Sequence, residues 1–205
     1  MIKLFIGAVA AAVAMFLTGF LLFATPLQFL ATGPSIPTAQ QAAIQSVLAA
    51  NLPSTGTYAV PQPTDAAATV MYGKGPIATI HYNAKGYSAE DPAAIFAGFI
   101  HEVIVCLLLA GALSTLDRRI ADFGSRARIV VLFSIAATAL ISLGKPIWYH
   151  HDWPNFIYEF IGNAAMLIVA GLVIARWFLP KAAEMTTPVA VPSPVFEKPQ
   201  EPTGG

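Results

Sequence analysis

Charged side chains are scarce in this sequence. Its 205 residues include 11 Lys+Arg and 11 Asp+Glu, so 11% of the chain is charged, against about 25% in an ordinary soluble domain. So few charges cannot solvate the surface of a water-soluble fold. With 56% hydrophobic residues and a mean hydropathy of +0.65, the chain reads as embedded in a lipid bilayer. The two signs cancel, which excludes a basic footprint for nucleic acid. Cysteine is nearly missing as well. The single Cys106 excludes an intrachain disulfide and a dithiol redox mechanism within the chain, and its apolar neighbours make it a small packing residue. No phosphate-cradling glycine loop, nucleophile–base pair or cofactor fingerprint is present.

The long apolar runs are what the sequence does supply. Residues 4–24 carry no charge, and about 21 residues at 1.5 Å each cross a hydrocarbon core of ~30 Å. A cleaved signal peptide is the competing reading. Its apolar core is shorter, however, and Phe23-Ala24-Thr25-Pro26 is a poor cleavage site, so an uncleaved anchor over residues 1–31 is expected. Residues 93–116, 129–149 and 156–179 give three more spans, the last ended by Pro180. Residues 32–91 differ. Thr38 and Gln41 have capping-box spacing ahead of Ile44, Val47 and Leu48, which recur at helical spacing. Residues 57–60 read as a strand, and residues 69–72 and 77–82 as two strands of a hairpin about Gly73-Lys74-Gly75-Pro76. Ser88 and Asp91 have capping spacing ahead of Pro92 at the start of the second span. Residues 181–205 hold five prolines and no apolar period, a disordered tail. The expected fold is therefore a mainly α membrane protein. Four transmembrane helices carry a small α+β extracytoplasmic module (residues 32–91) between the first and second, with the remaining spans in residues 92–180.

The basic residues orient this arrangement. Lys3, Arg118, Arg119, Arg126, Arg128, Arg176 and Lys181 fall at one end of a four-span chain, and only Lys74, Lys85 and Lys145 at the other. The positive-inside rule then puts both termini in the cytoplasm and residues 32–91 in the periplasm of a bacterial inner membrane. Trp148, Tyr149 and Trp153 mark the outer interface and Trp177 the inner one. The arginine loop at residues 117–128 also suits anionic headgroups.

Counting from the charged ends at 1.5 Å per residue puts Glu102 and His101 at ~22 and ~24 Å, Lys145 and Glu159 at ~25 Å and Asn163 at ~20 Å. These five residues form a polar layer, in which Lys145 pairs with Glu102 or Glu159 and Glu159 and Asn163 share a helix face. His150, His151 and Asp152 sit just above it. One reading of the layer is a structural ion pair. A second is a metal or haem b site drawing on His101, His150, His151 and Asp152, with Glu102 or Glu159, since imidazole and carboxylate suit zinc, copper or iron. A third is a proton- or quinone-linked path. His101-Glu102-Val103-Ile104-Val105 begins like a zinc-protease motif, but Val105 stands where the second ligand must be. Ser134, Thr138 and Ser142, an i, i+4, i+8 stripe, and Gly111, Gly162 and Gly171 are expected to be helix contacts.

The activity expected is that of a non-enzymatic membrane protein, without a cofactor, that lies in the lipid bilayer and binds a protein partner or a second copy through its outer module. The alternatives are a metal- or haem-binding redox protein and a small proton-coupled transporter or channel.

Overall fold

The structure, a computed structural model, describes residues 2–116, 119–120 and 122–180. It is 73% helical. The chain runs α1 (Ile2–Phe23), a 3-10 turn (Pro26–Leu30), α2 (Thr38–Asn51), β1 (Gly56–Val60), α3 (Ala66–Lys74), β2 (Ala78–Tyr82), α4 (Pro92–Leu116), α5 (Phe123–Thr138), a π turn (Ala139–Leu143), α6 (Gly144–Tyr149), α7 (Trp153–Val173) and a second π turn (Ile174–Phe178). Four segments, Ile2–Phe23, Pro92–Leu116, Phe123–Tyr149 and Trp153–Phe178, are long and apolar enough to cross a membrane. The tail at residues 181–205 and Asp117 and Arg118 of the arginine loop lie outside the described residues.

Aspartates start most of these helices. Asp122 and Asp65 accept the backbone N–H of Ser125 and of Ala68, each at 2.8 Å, and Asp152 that of Asn155 at 3.1 Å. The Ser125 hydrogen bonds hold the exposed Asp122 carboxyl below its usual pKa. At α4 the cap is Asp91, bonded to Ala93 N at 3.0 Å, while the Ser88 hydroxyl donates to the Glu90 carbonyl instead. Thr38 is likewise inside its helix and not the cap. Pro37 holds the cap position without a side-chain bond, and Gln41 reaches back to the Ile36 carbonyl at 2.7 Å. In the third span, Pro146 has no N–H to give to the Ser142 carbonyl, and its ring crowds the preceding turn. The ladder widens there into the π turn Ala139–Leu143.

The expected hairpin is corrected. Residues 69–72 are not a strand but belong to α3, because Asp65 caps a run that opens with three alanines, the best helix formers. This outweighs the β preference of Thr69 and Val70. β1 and β2 pair antiparallel across α3, from Gly56↔Tyr82 to Val60↔Ala78.

The bundle core is built on small residues. Ala8, Ala11 and Ala12 of α1, Cys106 and Ala110 of α4, and Ala170 of α7 are fully buried. α1 packs along both α4 and α7, and α5 packs on α7, so the spans stand in the order α4–α1–α7–α5. A Cβ at Gly7 would lie 2.5 Å from Phe178 Cγ, one at Gly19 2.8 Å from Met166 Cε, and one at Gly171 2.5 Å from Val130 Cγ1. Gly162 is just as tight against the Phe23 ring. Gly111 is different and corrects the expectation of a packing role. Nothing within 4 Å would meet a Cβ there.

Gly171→Leu is therefore expected to overpack the α5–α7 contact and cost about 2 kcal/mol, whereas Gly111→Ala gains up to about 1 kcal/mol through helix propensity. Thermal unfolding of the two variants in the same detergent checks the contrast.

Candidate functional site

The five residues of the polar layer separate into two groups. His101 and Glu102 of α4 and Asn163 of α7 line one cavity of 280 Å³ between the helices, open on the side where His101 is exposed, together with Met15 of α1 and Thr138 and Ser142 of the third span. Lys145 and Glu159 form a pair of their own. Their Nζ and Oε1 atoms are 3.8 Å apart, their side chains are 42% and 29% exposed, and the ammonium lies 5.1 Å from the Phe156 ring centroid. Lys145 thus pairs with Glu159 and not with Glu102. Counting residues along a helix fixes height but not direction around the axis, and the π turn before Lys145 rotates that end of the span further.

The cavity holds two buried polar atoms with no hydrogen-bond partner among the described residues, Glu102 Oε2 and Ser142 Oγ. Each would cost roughly 1–3 kcal/mol if left dry. They come from different helices and face the same space. Ser134, Thr138 and Ser142 form a buried stripe in which the Thr138 hydroxyl donates to the Ser134 carbonyl at 2.7 Å. Its last member therefore opens onto the cavity.

A second, wider cleft of 660 Å³ lies between the module and the turn joining the third and fourth spans. His81, His150, His151 and Asp152 line it with Tyr72 and Phe156. The His151 ring stacks on Phe156 with centroids 5.2 Å apart, and its Nε2 is buried without a partner among the described residues. His150 ends α6 in the left-handed region, with φ 56°, and its ring lies 6.4 Å from that of Tyr72. His81 Nδ1 lies 3.0 Å from Thr57 Oγ1, its partner in the strand register. Asp152 is engaged as the α7 cap.

The residues suggested for metal or haem therefore sit in two places. His101 lines the inner cavity and His150, His151 and Asp152 the cleft, with no residue common to both. Among the described residues, no three His, Cys, Asp or Glu side chains gather as a metal would need. What the arrangement offers is hydrogen bonding in an apolar setting. The chain matches no protein-family model, no curated protein and no solved structure.

One residue of structural weight is invisible to pattern reading. Arg126, one of the loop arginines, is only 3% exposed. Its Nε donates to the Ile120 carbonyl and its Nη1 to the Pro180 carbonyl, each at 2.8 Å. The guanidinium thus ties the start of the third span to the end of the fourth. Only its distant partner at Pro180 distinguishes it from a surface cation, and no sequence spacing encodes that.

Arg126→Ala strands both carbonyls and is expected to destabilise the bundle by on the order of 3 kcal/mol. Arg126→Lys, which has no planar fork, restores less than half of the loss. Chemical unfolding in mixed micelles reads both. Replacing His150 by Gly relieves the left-handed backbone and should raise stability by about 1 kcal/mol. A melting temperature that falls would instead assign His150 a contact worth more than its strain.

Proposed function

We propose that this multi-pass protein docks a partner protein through the module formed by residues 32–91. The observation that carries the reading is α2. Its apolar residues Ile44, Val47 and Leu48 recur at helical spacing, and Ile44 and Val47 are 50% and 61% exposed. Among the described residues, α2 makes no extensive contact with any other element. A 14-residue helix is marginal in water without tertiary packing, so its apolar stripe calls for a partner that accepts a helix in a groove. The rest of the module is also thinly packed. Ala68 is its only buried residue among the described ones. So little buried surface cannot hold a unit of this size alone.

The charge distribution supports the side on which docking takes place. Lys3, Arg119, Arg126, Arg128 and Arg176 gather at the end opposite the module, and by the positive-inside rule that end is cytoplasmic. The module then faces the periplasm of a bacterial inner membrane, above the aromatic residues Trp148, Tyr149 and Trp153. The role is one of assembly and not of catalysis.

The test is a photo-reactive residue at position 47 in the full-length protein, cross-linked in intact membranes. A discrete heterologous adduct is expected, lost in the Ile44→Asp/Val47→Asp variant and on deletion of residues 57–82, while the double variant keeps the melting temperature of the bundle. An adduct of two copies would move the role to self-association. Full complementation of a deletion strain by the double variant would end the docking reading.

A further inference from the structure

The helix order α4–α1–α7–α5 leaves α4 and α5 without extensive contact among the described residues. Between them runs a groove of 520 Å³, floored by Leu167 of α7 and walled by Leu109, Leu113, Val130 and Phe133. Val105 and Leu167 line this groove and also the cavity at Glu102, so the two spaces adjoin. The groove itself is lined by apolar side chains except for Thr115 and Ser134. The adjoining cavity presents Glu102 Oε2 and Ser142 Oγ, both buried and without a partner among the described residues, beside Asn163. The π turn that Pro146 induces carries Ser142 to this point.

We propose that the gap between α4 and α5 binds a neutral single-chain lipid with a hydroxyl-bearing head, of the long-chain quinol class. Its head lies at Glu102, Ser142 and Asn163 and its tail along the groove. This inference is independent of the docking role. The chemistry selects the occupant on three counts. A hydroxyl donates to the orphan carboxylate oxygen and accepts from Ser142 or Asn163, which satisfies both buried atoms at once. A phosphate head is excluded because Glu102 lies ten residues into α4, ~15 Å from its start, too deep for a charged headgroup. An apolar chain is required because residues 105–116 give the groove a length of ~16 Å with scarcely a polar group along it.

The experiment uses the full-length protein in lipid nanodiscs under anaerobic conditions, with a decyl-chain benzoquinol and its dimethyl ether as probes. The two share a ring and a tail, but only the quinol can donate. Saturable binding is expected for the quinol, with the ether at least tenfold weaker. Glu102→Leu removes the orphan carboxylate and should fold at least as well as the wild type. It weakens the quinol at least tenfold and erases the difference between the probes. Ala112→Trp with Ala137→Trp fills the groove and weakens both probes. Equal binding of quinol and ether, non-saturable uptake by the wild type, or unchanged quinol binding by Glu102→Leu would each overturn the proposal. Equal binding would mark the groove as filled by ordinary lipid chains.

Discussion

The close approach of α1 and α7 is the contact on which the rest of the bundle depends. In a bilayer, helices gain nothing by hiding apolar surface from lipid, so association relies on tight packing and on hydrogen bonds between spans. Both are present along this seam. Glycines at 7, 19 and 162 admit Phe178, Met166 and Phe23 where any side chain would collide. Near one end the Tyr158 hydroxyl donates to the Leu22 carbonyl at 2.6 Å, and its ring meets Phe23 edge-on. The hydroxyl bond also occupies a carbonyl near the C-terminal end of α1 that the helix itself cannot satisfy. α4 is then carried by α1, where Phe16 and Phe99 pack edge-to-face, and α5 by α7 through Gly171 and Val130.

Much of this was legible in the sequence, and the failures share a cause. Hydropathy located all four spans because a ~20-residue apolar run has few other uses. Short elements were harder. Residues 69–72 looked like a strand because Thr, Val and Tyr are frequent in sheets, yet the cap at Asp65 and the alanines after it decide the conformation. The five residues of the polar layer fall into two groups, not one, since residue counts carry no information about direction around a helix. Gly111 looked like Gly162 and Gly171 for the same reason. Composition identifies a small residue, and only the fold says which helix stands opposite it.

Arg126 shows the limit from the other direction. A basic loop satisfies a topology rule whichever arginines it contains, so the rule cannot single out one that is buried and holds two carbonyls. The same guanidinium leaves its Nη2 without a partner among the described residues, as Glu102 and Ser142 leave theirs. Unmatched polarity in this bundle is thus found at both ends of the third span. With His151 Nε2 in the cleft, the described residues offer three places where a polar group from outside the chain would be well received.

The order of the helices bears on how the protein is made. α1 and α4 are consecutive spans, and so are the third and fourth, which are joined by a tight turn. Each of these pairs can form as soon as its second member leaves the ribosome. The α1–α7 seam closes the longest loop in the chain and must wait for the last span. Until then the side of α1 at Gly7 and Gly19, which receives Phe178 and Met166, has no cover, and any helix already in the membrane competes for it. Biogenesis therefore contains an interval in which the half-made protein is open to mispairing.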